Sequence, residues 1–75
     1  MDATFAELLR AHRVGAGLTQ ERLAELAGLS ATAIAALEAG RRCAPRAGTV
    51  GALGRALGLE RHQRGALAAA SRPAR

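Results

Sequence analysis

Residues 19–40 read TQERLAELAGLSATAIAALEAG, and this stretch decides the fold. Thr19 can cap the N-terminus of a helix with its hydroxyl. Three apolar residues then follow at the i, i+3, i+4 spacing of one helical face: Leu23, Leu26 and Ala27. Gly28 supplies a position that tolerates a positive φ, and Ser30 can cap a second helix. The stretch predicts two short helices joined by a tight turn.

The second of these helices is predicted to begin at Ala31 and to stop at Gly40, because glycine favours a left-handed C-terminal stop. Its apolar stripe consists of Ala33, Ile34 and Leu37. Ala24, four residues after Gln20, is small enough for the two helices to approach closely. Helices joined by so short a turn cross steeply and leave the second one exposed along one side. This arrangement is a helix-turn-helix.

The motif resembles the phage-repressor and Cro-like (XRE) family. The residues that carry the resemblance are Gly17-Leu18-Thr19-Gln20, Leu23-Ala24, Ala27-Gly28-Leu29-Ser30, Ile34 and Leu37-Glu38-Ala39-Gly40-Arg41. It covers about residues 5–67 and implies an all-α, five-helix, lambda-repressor-like bundle that binds double-stranded DNA and regulates transcription. The Ala-Pro-Arg loop and Thr49-Val50 that follow the motif look like the front module of larger actinobacterial-type regulators.

Three further helices are predicted outside the motif. Thr4 and Glu7 form a capping box, so helix 1 should run from about residue 5 to residue 13 or a little beyond. Its buried face is expected to consist of Phe5, Leu8, Leu9 and His12. Helix 4 should begin between residues 46 and 49 and stop at Gly58, with a stripe of Val50, Leu53, Ala56 and Leu57. Helix 5 should run from about residue 61 to residue 70 around Leu67.

Composition limits the class of function. A chain of 75 residues makes one domain with a small core and no room for an enzyme-sized cleft, and we expect no catalysis, cofactor, metal site or small-molecule substrate. We assign residues 1–70 to the domain and residues 71–75 to a disordered basic tail. No apolar run reaches the roughly 18 residues of a membrane span. The single Cys43 cannot form an internal disulfide, so a cytoplasmic protein is predicted.

The charge distribution points to a polyanionic partner. The net charge is +5, and all eleven basic residues are arginine. Residues 1–40 carry three arginines against five acids, whereas residues 41–75 carry eight against Glu60 alone, so the two parts have charges of −2 and +7. A basic field attracts nucleic acid and speeds encounter with it. The alternative explanation is a GC-rich genome that favours arginine and alanine codons.

Helix 3 is expected to enter the major groove of DNA. Its predicted outward residues are Ala31, Thr32, Ala35 and Ala36. Alanine can contact a thymine methyl group and little else, so Thr32 is the one side chain there that can also hydrogen-bond a base. We therefore expect specific binding either to be weak or to depend on DNA shape and on residues outside helix 3.

Phosphate contacts are predicted around helix 3. Gln20 lies in the first turn of helix 2, where free backbone N–H groups and the helix dipole favour an anion. Arg41, Arg42 and Arg46 follow helix 3 and are expected to reach the DNA backbone. The resemblance implies that Arg13 pairs with Glu38. We also place three residues at the DNA-binding surface: Arg13, Thr19 and Ser30.

Several alternatives remain open from the sequence. The resemblance implies a possible homodimer, which would use helices 4 and 5 and bind a pseudo-palindromic site. The alanine-lined helix 3 also fits a protein-interaction module that has lost base readout. A third hypothesis is a nucleoid-like binder without sequence preference, and the chain could also be the N-terminal DNA-binding module of a larger regulator.

Overall fold

Five α-helices connected by short turns make up the part of the chain that the computed structural model describes, residues 3–41 and 45–72. In chain order they are α1 (Phe5–Gly15), α2 (Gln20–Ala27), α3 (Ala31–Glu38), α4 (Ala47–Ala56) and α5 (Arg61–Ala70). Within these residues there are no strands, so the all-α prediction is confirmed. The helices that carry the motif, α2 and α3, have eight residues each.

The first three helices begin at side-chain caps that the sequence predicted. The Thr4 hydroxyl accepts a hydrogen bond from the Glu7 backbone N–H at 3.1 Å, and the Glu7 carboxylate accepts one from the Thr4 N–H at 2.9 Å. Thr19 and Ser30 accept from the backbone N–H three residues further on, each at 3.0 Å. Each bond satisfies an amide that has no partner within its own helix.

Both helices of the motif end at a glycine in the left-handed conformation. Gly28 has φ 71°, which lets the Leu29 N–H donate back to the Ala24 carbonyl at 2.8 Å. Gly40 has φ 76°, and the Arg41 N–H reaches the Ala36 carbonyl at 3.0 Å. An L side chain is strained at such angles, so these positions need glycine. The predicted stops of helices 2 and 3 are confirmed.

One core unites all five helices. Its buried members are Phe5, Leu9, Leu23, Ala24, Ile34, Leu37, Val50, Leu53, Leu59 and Leu67. Leu26, which the spacing places on the same helical face as Leu23 and Ala27, is 48% exposed. The face that packs inward is centred on Leu23, Ala24 and Ala27, and Leu26 lies to one side of it on the helical wheel. His12 is half-buried rather than part of the core.

The packing order holds the motif between the other helices. α3 packs against α1 and α2, whereas α4 packs against α2 and α5, and α5 also contacts α1. This arrangement fixes α2 and α3 relative to each other and leaves Thr32 of α3 exposed. None of the helices in residues 3–41 and 45–72 is long and apolar enough to cross a membrane.

The C-terminal end of α5 extends into the predicted tail. The Ser71 hydroxyl donates to the Ala68 carbonyl at 2.6 Å, and the Arg72 N–H donates to the Ala69 carbonyl at 3.3 Å. These two residues therefore close the C-terminal end of α5. Residues 73–75 of the predicted tail, together with Arg42 and Cys43, lie outside the described residues.

Candidate nucleic-acid interface

A buried carboxylate joins the three helices around the motif. Glu38, at the end of α3, has a side chain that is only 4% exposed. Its two oxygens accept hydrogen bonds from Arg13 Nε at 2.6 Å, from Arg13 Nη2 at 2.9 Å and from Gln20 Nε2 at 3.2 Å. Arg13 Nη1 donates to the Leu18 carbonyl at 2.9 Å. We call these four groups the Glu38 cluster.

The cluster confirms the Arg13–Glu38 pair that the family resemblance implied. The bidentate geometry of the pair is the strongest form of carboxylate recognition by arginine. Because Leu18 immediately precedes the Thr19 cap, the same guanidinium also fixes the approach to α2. α1, α3 and the start of α2 are thus held together by one set of charge-assisted hydrogen bonds.

The Glu38 cluster keeps its carboxylate ionised. Burial by itself raises the pKa of Glu38, but hydrogen bonds from Arg13 and Gln20 and the positive charges of Arg13 and Arg10 outweigh burial, so the pKa lies below its usual range. The hydrogen bond to Glu38 correspondingly raises the pKa of Arg13. The pair is therefore fully charged at neutral pH.

The cluster changes how Arg13 and Gln20 can act as DNA ligands. Arg13 is 14% exposed at its side chain, and three of its N–H groups have partners inside the protein. Gln20 is half-buried and uses one amide hydrogen on Glu38, which leaves its second amide hydrogen for a phosphate. The contact between Gln20 and Glu38 was missed by sequence reasoning. The feature of the sequence that could have indicated this contact is Glu38, the one acidic residue in helix 3.

The predicted outward residues of α3 differ in exposure. Thr32 is exposed, and Ala35 and Ala36 are half-buried. Ala31 is half-buried as well, and its side chain packs partly against the core cluster. The reason is helical spacing, because Ala31 precedes the fully buried Ile34 by three residues and shares its face. Thr32 is the polar side chain that α3 presents to solvent near its N-terminus.

Arginines flank the connection between α3 and α4. Arg41 and Arg46 are exposed, and neither has an ion-pair partner within the part of the chain that is described. Arg46 is also the N-cap residue of α4. Thr19 and Ser30 are exposed and serve as the caps of α2 and α3, so their hydroxyls already accept backbone hydrogen bonds.

The described residues hold no group of three or more histidine, cysteine, aspartate or glutamate side chains that could bind a metal ion. His62 is exposed, and its Nδ1 lies 3.5 Å from a Glu60 carboxylate oxygen. The geometry around α2 and α3 thus supplies hydrogen-bond donors, helix N-termini and cations, which are the groups that contact a nucleic-acid backbone.

Comparisons with known proteins agree with this geometry. A family model described as a helix-turn-helix domain matches residues 4–67. A similar solved structure is the high-resolution crystal structure of the restriction-modification controller protein C.AhdI from Aeromonas hydrophila, with a TM-score of 0.73 and 33% sequence identity. The match covers 80% of this chain and 89% of that chain. A comparison with curated proteins finds no match.

The chain belongs to the helix-turn-helix domain family, as a DNA-binding domain of the phage-repressor and Cro-like (XRE) type. The expected fold and family are therefore confirmed.

Proposed function

We propose that this protein is a transcriptional regulator of the cytoplasm that inserts α3 into the major groove of double-stranded DNA. The observation that carries the proposal is the Glu38 cluster, which fixes α3 against α1 and the start of α2 while Thr32 stays exposed. A helix can read base edges only if its position relative to the phosphate-binding groups is fixed. The similarity to a restriction-modification controller supports a regulatory role.

In this proposal, phosphates are bound on both sides of α3. The second amide hydrogen of Gln20 and the N-terminus of α2 bind one phosphate, and Arg41 with Arg46 binds the backbone across the groove. Arg42 would add to this second contact. Arg13 acts mainly by orienting Glu38 and Leu18, because most of its donors are used inside the protein.

Base recognition would be sparse. Thr32 can hydrogen-bond a base and contact a thymine methyl group, and Ala36 can only make an apolar contact. Sequence preference must then depend partly on the shape and deformability of the DNA, which arginines beside the groove can sense. We therefore expect the affinity for preferred sites to exceed the affinity for other duplexes by a moderate factor.

The test is selection of bound duplexes from a random pool, followed by affinity measurements at several salt concentrations. We expect an enriched site that binds more tightly than a scrambled duplex, with affinity that falls as salt rises. Equal affinity for all duplexes would support a nonspecific binder instead. No binding at about 50 mM salt would exclude both and leave the interaction module.

A homodimer would use the outer side of α5. Gly65, Ala66 and Ala69 are exposed there, and side chains this small permit a second helix to approach closely. Two copies related by a twofold axis would place their α3 helices about one turn of DNA apart. Sedimentation of the protein alone and with a palindromic duplex tests this, and a monomer in both samples would exclude it.

The interaction module remains a second candidate because three of the four predicted outward residues of α3 are alanine. Such a surface could bind the apolar side chains of another protein. The enrichment experiment decides between the two, because an interaction module would select no duplex.

A further inference from the structure

An open groove lies between the start of α4 and the end of α5, away from the Glu38 cluster. It has a volume of about 640 Å³ and is lined by Pro45, Ala47, Val50, Gly51, Arg64, Ala68, Ser71 and Arg72. Most of these residues are small or apolar, and we call the feature the α4–α5 groove. The proposed DNA contacts of Thr32 and Gln20 do not use it.

The groove combines an apolar floor with unpaired cations. Arg64 and Arg72 are exposed, and neither forms an ion pair with a described residue. The stem of Arg64 lies against Gly54, so its guanidinium is tethered beside the groove instead of extending freely into solvent. The N-terminus of α4 also borders the groove at Ala47, and no side chain caps it. Arg64, Arg72 and the uncapped N-terminus of α4 all favour negative charge in the occupant.

We propose that the α4–α5 groove binds an acidic peptide segment of a partner protein, with one or two apolar side chains on the floor and carboxylates on Arg64 and Arg72. Charge complementarity selects this occupant. A second copy that met the groove with its own groove would bring another strongly basic surface there, since residues 41–75 carry +7. A DNA backbone supplies the negative charge but has no apolar side chain to cover the floor.

The groove is of a size that suits a peptide anchor. A volume of about 640 Å³ exceeds what one side chain needs and lies within the range of sites that hold small ligands. Binding of this kind is weak to moderate and reversible, because it covers a small area. It would let the regulator be recruited or displaced while α3 remains free for DNA.

The test begins with a displayed library of random twelve-residue peptides selected against the full chain. We expect the selected peptides to contain several Asp or Glu residues around one or two large apolar residues. In nuclear magnetic resonance spectra, a selected peptide should shift the amide signals of Gly51, Ala68 and Arg72 more than that of Thr32. Selected peptides without acidic residues, or shifts centred on α2 and α3, would overturn the proposal.

Two double variants distinguish peptide binding in the groove from general electrostatic attraction to a basic protein. The double variant Arg64→Glu with Arg72→Glu should lower the affinity for the selected peptide at least tenfold. The matched control Arg10→Glu with Arg61→Glu changes the net charge equally at exposed residues that do not line the groove, and it should lower the affinity less than threefold. Equal losses in both double variants would contradict a defined site. Circular dichroism and the melting temperature establish that each variant is folded.

A third variant tests the apolar floor without changing charge. Gly51→Leu places a side chain in the groove, and the position has room for a Cβ, which would lie 3.5 Å from Arg55 Nη1. Peptide affinity should fall at least tenfold although the helix keeps its fold. Unchanged affinity would mean that the peptide does not enter the groove.

Two further measurements distinguish other occupants. A duplex of the enriched sequence should leave the Gly51 and Ala68 signals in place, and shifts there on DNA binding would assign the groove to nucleic acid. Dilution of the free protein should leave the Gly51 signal on α4 unchanged even where copies pair through the outer side of α5, whereas a concentration-dependent shift of Gly51 would assign the groove to a second copy. Because the peptide experiments need no DNA, they can fail or succeed independently of the proposed regulatory function.

Discussion

Glu38 is the residue on which the geometry of the motif depends most. It is the shared acceptor for groups from α1 and α2, and its own helix is the one proposed to enter the DNA groove. Removing one partner of a buried ion pair leaves an uncompensated charge, which is more costly than the pair is favourable. The residue therefore contributes to stability and to the position of Gln20 at the same time.

Stability should depend on pH through Glu38. Its pKa is lowered in the folded protein, so the unfolded chain binds the proton more readily. The stabilisation is present above the unfolded glutamate pKa of about 4.3 and is lost as the pH falls through the lower folded value. Urea unfolding at a series of pH values should show the free energy of unfolding decreasing over this acidic range.

The variant Glu38→Gln should lower the free energy of unfolding at neutral pH by about 3 kcal/mol, because Arg13 loses its charged partner. The dependence on acidic pH should become correspondingly weaker. Glu21→Gln is the control, since Glu21 is exposed and acts on Arg13 through its charge alone, without a hydrogen bond to the cluster. If both variants showed the same pH dependence as the original chain, the assignment to Glu38 would be wrong.

Thr32 is the test of direct base readout. It is exposed on α3, and removing its hydroxyl and methyl group leaves the helix cap at Ser30 intact. Thr32→Ala should weaken binding to the enriched duplex by about 1 to 3 kcal/mol and change binding to a scrambled duplex very little. Competition between the two duplexes measures the difference. Equal losses on both would favour recognition by DNA shape.

At the scale of the helices, α5 packs closely against α4 at one glycine. Gly54 is buried in α4, and a Cβ built there would lie 2.8 Å from Arg64 Cγ and 2.9 Å from Arg64 Cδ. At Gly51, three residues earlier, a Cβ would meet only Arg55 Nη1 at an ordinary contact distance of 3.5 Å. Two glycines that look equivalent in the sequence therefore have different roles.

Substitution by alanine should separate these roles. Gly51→Ala should raise the free energy of unfolding by roughly 0.5 to 1 kcal/mol, because alanine favours the helix and fits. Gly54→Ala should be at least about 1 kcal/mol less stable than Gly51→Ala, because the added methyl group displaces the Arg64 stem. Denaturant unfolding measures both.

The contact with Arg64 can be tested by a double-mutant cycle. In an Arg64→Ala background, Gly54→Ala should recover most of the gain seen at Gly51. If Gly54→Ala remained equally unfavourable without the Arg64 stem, the close approach of α5 would not explain the glycine.

At the scale of the whole molecule, positive charge is concentrated after the motif. Arg13 and Arg22 have acidic partners, whereas the described arginines after Gly40 have no ion pair: Arg41, Arg46, Arg55, Arg61, Arg64 and Arg72. The basic half of the sequence is therefore available for external anions. DNA and an acidic peptide would use different members of this set.

Replacing Arg41, Arg42 and Arg46 together by alanine should weaken binding to all duplexes alike. The slope of log K against log salt should become shallower by up to about three phosphate equivalents, because each contact releases counterions. The control removes three arginines from α4 and α5 instead: Arg55, Arg61 and Arg64. An equal change of slope in the control would mean that the general positive field, and not the loop, binds the backbone.

The sequence by itself determined the five helices, their approximate ends and the turn of the motif. These features are local: a cap such as Thr19 acts on an amide three residues away, and Gly28 sets the angle of its own backbone. Apolar spacing also predicted the principal core residues, because the face of a regular helix follows from its period. The family resemblance added the Arg13–Glu38 pair.

Only the tertiary structure decided which face of each helix packs inward and which side chains distant in sequence come into contact. It exposed Leu26, packed the half-buried Ala31 against the core, joined Gln20 to Glu38 and placed the Arg64 stem against Gly54. Helical period fixes the angles between residues on one helix, but the packing of all five helices sets the rotation of each. Contacts between side chains 18 or 25 residues apart depend on that rotation, so no local pattern contains them.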